Sequence, residues 1–349
     1  MSVEADLAHC RDAIRQGSRS FHAASRLLPA SVRDPALALY AFCRLADDAV
    51  DEGTGCKRRA VDALRLRLDA AYAGAPRDAP ADRAFARVVA ERAMPRALPD
   101  ALIEGLAWDA EGRRYETLAE LHGYGARVAA SVGAMMCVLM GVRGAGVLAR
   151  ACDLGLAMQL TNIARDVGTD ARMGRLYLPL EWMDAAGIAP DAFLRAPAAT
   201  SEVRAMVGRL LAEARRLYGR ADAGIPALPL GARAGIYAAA GIYAAIGGAI
   251  RRAGHDSVAV RARTGGGRKA LLLGRAAGRA GISPLWPGAA SLYAPPEPAA
   301  AWLVAAAALP DQSLQHAGPW GAGRGGAFLD ALAALKHRDI FPGAAPPAA

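Results

Sequence analysis

An all-α fold is what this sequence predicts, and three observations carry the prediction. Alanine dominates and runs of β-branched residues are few, so helix is favoured along nearly the whole chain. No stretch of strand length alternates apolar and polar residues with period two. Two segments instead carry apolar and acidic residues on one helical stripe: LYAFCRLADDAVDEG from Leu39 to Gly53, and LARACDLGLAMQLTNIARDVGTDARMGRLYLP from Leu148 to Pro179. With 349 residues, 54% of them hydrophobic, the chain has ample material for one large core.

Taken in order, Val3 to Gln16 reads as a helix stopped near Gly17. Arg19, Ser20 and Phe21 follow, and the small residues Ala23, Ala24 and Ser25 leave volume beside any cavity this segment lines. Asp34 and Pro35 have the chemistry of an N-cap and a first helical residue. They set the phase of the first acidic helix, with Leu37, Tyr40, Arg44, Asp47, Asp48 and Asp51 on one face and Gly53 and Gly55 at its end. Lys57 to Ala73 is an amphipathic helix with Arg and Asp outward, and Pro76 to Arg83 a loop. Leu98 to Glu120 brings Trp108, Asp109, Arg113, Arg114 and Tyr115, and His122 to Gly141 is rich in small residues along an apolar stripe.

The second acidic helix is the clearest. At about 100° per residue, Leu148, Cys152, Gly155, Gln159, Asn162, Asp166 and Asp170 share one stripe. It ends at a glycine C-cap, Gly174, which releases Arg175 and Tyr177 into a loop. Asp191 to Thr200 is a polar connection, and Ser201 to Gly219 and Ala234 to Ala253 are further helices, the latter carrying Tyr243. Ala234 to Ile250, the longest uncharged run, is shorter than the ~20 strongly apolar residues of a membrane span, so a buried core helix is expected. The segment GHDSVAVRARTGGGRK is cationic through Arg261, Arg263, Arg268 and Lys269. From Ser283 onward the chain turns to Pro, Gly and Ala, with helical patches at Ala299 to Leu309 and Gly326 to Lys336. The expected organisation is a helical domain over 1–285 and a C-terminal extension over 286–349, partly helical or disordered.

Carboxylates four apart near a helix C-terminus repel one another and oppose the helix dipole. A hard divalent ion held by carboxylates and phosphate oxygens would remove that conflict, and Gln159 and Asn162 add neutral oxygens. Salt bridges to Arg44 and Arg165 are the alternative. The formal net charge of +9 draws polyanions such as diphosphates or anionic lipid headgroups. No basic run is interleaved with aromatics, and no zinc-finger or RNA-binding signature occurs, so nucleic acid is not an expected partner. Cys10, Cys43, Cys56, Cys137 and Cys152 lack C-x-x-C spacing, which suggests neither a disulfide framework nor a zinc site. The N-terminus lacks the apolar segment and cleavage site of a signal peptide. A cytoplasmic protein is expected, with peripheral contact at the inner face of the membrane.

The paired motifs DDAVD and NIARDVGTD, followed by GRLYLP, resemble those of the head-to-head prenyl synthases, the squalene and phytoene synthase family. GSRSFHAASRLLP, YAFCRLADDAVD and LIEGLAWDAEGRRYETLAEL extend the resemblance over roughly Ala13 to Leu273, nearest to the members from carotenoid-making bacteria. It implies an isoprenoid-synthase-type helical fold around a deep apolar cavity. The implied reaction condenses two geranylgeranyl diphosphates, through the cyclopropyl prephytoene diphosphate, to phytoene. The implied metal is Mg²⁺, with Mn²⁺ as the alternative, held by Asp47, Asp51, Asn162, Asp166 and Asp170. Those four aspartates and Tyr124 would be the catalytic groups. Arg19, Ser20, Phe21, Tyr40, Arg44, Gln159, Asn162, Arg165, Arg175, Tyr177, Tyr243 and Arg261 would surround the substrate, and Val128, Ala129, Val132 and Gly133 would line the tunnel.

The chain departs from the family pattern at Ala126, at Ala130 and Ser131, and at Val260, where an aromatic, a Gly-Thr pair and an Arg are common. Leu148 to Asp166 would span ~27 Å as helix, long enough for a C20 chain. No G-x-G-x-x-G follows a strand pattern, and NADPH is not expected. The alternatives are a squalene or dehydrosqualene synthase acting on farnesyl diphosphate and a non-enzymatic scaffold or assembly protein of the same fold. A di-iron bundle is disfavoured because Glu-x-x-His does not occur.

Overall fold

A computed structural model of the chain describes residues 2–51, 57–285 and 289–308; the side chains of Arg19, residues 45–51 and Leu285 are not described. Among the described residues there is no strand. The helices are α1 (Val3–Gly17), α2 (Arg19–Ser25), α3 (Ala30–Asp51), α4 (Lys57–Tyr72), α5 (Pro80–Arg92), α6 (Ala97–Ala110), α7 (Leu118–Gly125), α8 (Ser131–Leu139), α9 (Ala145–Arg172), α10 (Leu180–Ala185), α11 (Pro190–Arg195), α12 (Ser201–Asp222), α13 (Leu230–Arg252), α14 (Gly266–Ile282) and α15 (Ala301–Ala307). The long α9 is the axis: α8, α12 and α13 pack directly on it.

Three local expectations are corrected. Helix α3 begins at Ala30, so Asp34 and Pro35 lie inside it rather than at its start. A proline there removes the N–H that would bond the Ser31 carbonyl, one turn earlier. Arg92 Nη2 donates to that carbonyl instead, at 3.1 Å, and Asp34 pairs with Arg33 Nε at 3.0 Å. The stretch read as a loop to Arg83 already turns helical at Pro80, the first residue of α5, where a missing N–H does no harm. The connection from Asp191 contains the short α11, also opened by a proline.

Between α7 and α8 the helix widens into a π-turn, Ala126–Ala130. This wall presses on α9 through two glycines. A Cβ on Gly133 would lie 2.4 Å from the Ala151 carbonyl oxygen, and one on Gly155 would lie 2.4 Å from that of Ala129. Neither position admits a side chain, so the two backbones touch there and the larger side chains beside them turn toward a cavity. Leu148 and Cys152 are therefore buried in the core beside the cavity, and Ala151, Leu154, Met158 and Gln159 share the wall with Gly155.

Candidate active site

One cavity of about 480 Å³ runs between α2, α3, α8, α9 and α13, within the ~300–1,000 Å³ of ordinary ligand pockets. Its walls are mostly hydrocarbon, with Val128, Ala129, Val132 and Gly133 among them, as the resemblance implies. Polar groups gather at one end: Tyr40 and Arg44 from α3, Asp109 from α6, Tyr124 from α7, Gln159 and Asn162 from α9, and Tyr243 from α13. Phe21 stands among them with its ring centroid 5.2 Å from that of Tyr243. Gly17 makes room for this end, since a Cβ there would meet the Tyr40 hydroxyl at 2.3 Å. Ser20 is half-buried on α2 but is not a lining residue. The side chains of Arg19, Asp47 and Asp51 lie outside the described residues.

Beyond Asn162, α9 carries Asp166 and Asp170 on the same stripe. Both alternatives read from the sequence meet here. Asp166 is engaged by Arg165, and Arg261 Nε donates to its Oδ1 at 2.6 Å. Burial pushes the Asp166 carboxyl up, but hydrogen bonds from these two guanidinium groups more than offset it and hold it below the usual range. Asp170 is pushed up to about 7 by burial and then by the negative charge of Asp166, against the pull of Arg175.

Arg261 reaches Asp166 because its loop is seated on α9 at Gly168. The Gly168 N–H donates to the Ser257 carbonyl at 3.0 Å, and Arg172 Nη2 donates to that of Val258 at 2.8 Å. A Cβ on Gly168 would lie 2.5 Å from the Val258 backbone, so only glycine lets the loop approach. At the other side of α9's C-terminus, Gly174 takes φ +76° and turns the chain back, with the Arg175 N–H donating to the Asp170 carbonyl at 2.8 Å.

Tyr177, from this returning loop, donates to Asp109 Oδ1 at 2.7 Å, while Tyr124 donates to Oδ2 at 2.8 Å. Burial first, and the Asp109 charge second, push both phenols well above their usual range, so both hydroxyls keep their protons. The rings of Tyr115, Tyr124 and Tyr177 pack together, with the Tyr124 and Tyr177 centroids 5.2 Å apart. Asp109 is the residue that reading the sequence passed over as a site. Its signal was a carboxylate one position after a tryptophan, in the largely apolar run LIEGLAWDA.

The donor set suits a hard divalent cation. The Asn162 side chain engages the Tyr243 hydroxyl, and its Oδ1 is buried with no hydrogen-bond partner among the described residues. An orphaned amide oxygen one turn before two carboxylates, one of them raised by burial and then by its neighbour's charge, is a set of oxygens of the kind that a hard divalent cation takes. Asn162, Asp166 and Asp170 are the described residues that would hold the ion. Among the described residues no cluster of three or more His, Cys, Asp or Glu exists, and the other acidic motif lies outside them.

A family model described as squalene/phytoene synthase matches residues 14–270. The chain belongs to the squalene/phytoene synthase family. Among its relatives, a phytoene synthase of Cereibacter sphaeroides is 58% identical over 348 residues, 97% of this chain and 96% of that protein. A 15-cis-phytoene synthase of Paracoccus is 44% identical, covering 75% of this chain and 88% of that one. Among solved structures of the family, a dehydrosqualene synthase in complex with a ligand is similar with a TM-score of 0.73 and 32% identity, over 78% of this chain and 96% of that one. A squalene synthase from Alicyclobacillus acidocaldarius gives a TM-score of 0.66 at 28% identity, over 72% and 95%. The family's helical fold is therefore shared over most of this chain.

Proposed function

We propose that this chain is a phytoene-forming prenyltransferase that joins two molecules of geranylgeranyl diphosphate head to head in carotenoid biosynthesis. The carrying observation is the polarity of the cavity: hydrocarbon along its walls, and Gln159, Asn162, Asp166 and Asp170 in sequence where α9 leaves it. The phytoene synthase relatives, alike over nearly the whole chain, support the reading. In the proposed reaction one allylic C–O bond ionises and its C1 bonds to the double bond of the second substrate. Loss of a proton closes the cyclopropane, and the second diphosphate then leaves. Rearrangement and a second proton loss give the hydrocarbon. Mg²⁺, with Mn²⁺ as the alternative, bound by Asn162, Asp166 and Asp170 with Asp47 and Asp51, would supply positive charge against the departing diphosphate.

The chain's own groups divide the remaining work. The apolar walls keep water from the carbocation. Arg165 and Arg261 hold Asp166 ionised and add positive charge at the mouth. Tyr124 is placed to pass its own proton to Asp109 Oδ2, 2.8 Å away, as its Oη accepts one from the substrate, so that the proton ends on the carboxylate and the phenol stays neutral. The assay supplies geranylgeranyl and farnesyl diphosphate separately with Mg²⁺, with and without NADPH, and identifies hydrocarbons by mass. A C40 hydrocarbon without NADPH is expected. A C30 product from farnesyl diphosphate with no C40 product would overturn the substrate and leave the family.

A specific observation on α14 supports peripheral docking on anionic lipid. Arg268, Leu271, Arg275 and Ile282 share one stripe, with Leu271 63% and Ile282 58% exposed, while Arg279 beside them pairs with Asp222. No acidic residue occurs between Asp256 and Glu297, so the stripe is a basic amphipathic face. Among the described residues only α13 is long and apolar enough to cross a membrane, and its faces are taken by the cavity and α14. Co-sedimentation with anionic, but not neutral, vesicles at low salt is expected, and weaker for Arg268→Glu with Arg275→Glu. An unchanged supernatant fraction with anionic vesicles would refute it.

A further inference from the structure

Arg150 is 1% exposed, yet it lines the cavity, with Ala221, Gly224 and Ile225 around it. It lies three turns of α9 before Asn162, about 18 Å along the axis, so it stands at the end remote from the acidic mouth. A guanidinium walling a hydrocarbon space needs all its charge satisfied from behind. Two of its partners come from the chain beyond α14 and the third from its own helix. Arg150 Nη1 donates to the Ser291 carbonyl, Nη2 donates to that of Pro295 at 3.1 Å, and Nε lies 2.8 Å from Asp153 Oδ2.

A second tier locks the first. Arg220 donates to Asp153 Oδ2 at 3.0 Å and to the Pro295 carbonyl at 2.6 Å. Arg216 Nη1 lies 2.8 Å from Glu297 Oε1. Leu303, Val304 and Ala307 of α15 are buried against α6, α8 and α9, and Arg143 donates to the Ala307 carbonyl at 3.2 Å. On the front side Gly224 fixes the stem, since a Cβ there would lie 2.4 Å from Arg150 Cβ.

We infer that Arg150, pinned by the strap of residues 289–308, is the chain-length stop of the cavity. The inference rests on the prenyl diphosphate reading of this site. With the diphosphate at the mouth, the last isoprene unit of the substrate ends against this side chain. A longer chain has to displace a guanidinium whose donors are committed to two carbonyls and a buried carboxylate, so the stop is stiff. The strap lies beyond the part matched by the family model, so depth is set by a segment outside the family's common core.

The first test uses the wild-type protein and unreactive prenyl thiolodiphosphates of C15, C20 and C25 in calorimetric titrations with Mg²⁺. Affinity is expected to rise from C15 to C20 and fall at least tenfold at C25. A continued rise through C25 would overturn the stop. The second introduces Arg150→Met and Asp153→Asn together, which removes the buried ion pair while Arg220 keeps Glu297 at 3.4 Å, in a competition of C20 against C25 diphosphate. The share of C25-derived hydrocarbon is expected to rise at least tenfold, and an unchanged share in a folded variant would count against Arg150. A wild-type enzyme that made only C30 hydrocarbon would refute the substrate reading instead, and that outcome is read from product mass, separately from the affinity break.

Discussion

Helix α9 carries two charged groups of opposite character about 24 Å apart. At its inner end Asp153 is fully buried between Arg150 and Arg220, and the strap's carbonyls absorb the remaining donors. At its outer end Asp166 and Asp170 sit one turn apart where the helix dipole is already negative, with Asn162 Oδ1 orphaned behind them. The inner group pairs its charges with one another and with the strap, whereas at the outer one Asp166 is held by Arg165 and Arg261 and Asp170 is raised beside it. A polar group whose demands are met within the protein stabilises the fold, whereas one whose demands are not met points to a missing ligand.

Replacing Asp153 by Ala should break that comparison most visibly, because it leaves Arg150 buried without its anion. A loss of about 3–5 kcal/mol is expected in denaturant unfolding. A melting temperature within a degree of wild type would mean the inner group is not structural. At the outer end, Asp166→Asn should leave the helical circular-dichroism signal intact and lower kcat by about 10²–10³-fold. Near-normal turnover would remove Asp166 from the site.

A smaller effect is expected from Gly168→Ala, whose Cβ would fall 2.5 Å from the Val258 backbone. The loop must shift, at a cost of about 1–3 kcal/mol, and Arg261 shifts with it. KM for the diphosphate substrate should rise more than stability falls. Equal losses in Arg261→Ala and in the Gly168→Ala, Arg261→Ala pair would tie the effect to Arg261, and additive losses would separate them.

The smallest effect sharpens the contrast in the metal-free protein. The Asp170 carboxyl is raised to about 7, against ~3.9 when unfolded. The native state therefore holds this proton more tightly, and its contribution to stability is present in acid and lost as pH rises through about 7. Asp170→Asn should flatten that slope in EDTA and raise apo stability near pH 8 by roughly 0.3–1 kcal/mol, with the gain abolished or reversed by Mg²⁺. A parallel pH profile for variant and wild type would show that the outer group carries no such conflict.

What could be read from the sequence was what a single helix decides. The stripe from Gln159 to Asp170 and the turn at Gly174 depend only on helical period and on glycine's backbone freedom, and both stand as read. The start of α3 was misplaced because the partner that satisfies Ser31 is Arg92, far along the chain on another helix. Asp109 escaped notice for the same reason: the hydroxyls that mark it come from α7 and from the loop after α9. Arg150 and Asp153 carried no signal in the sequence, because the carbonyls behind Arg150 come from residues 291 and 295.

The strap also has a place in time. Helices α9 and α12 leave the ribosome before the segment that seals them, and Glu297 follows the end of α12 by about 75 residues, roughly 4–15 s at ordinary translation rates. Through that interval the nascent chain holds an unfinished apolar trough with Arg150 and Asp153 still open to water. That end of the compartment closes only when residues 291–297 arrive, so a stop codon before them would leave the trough open behind Arg150.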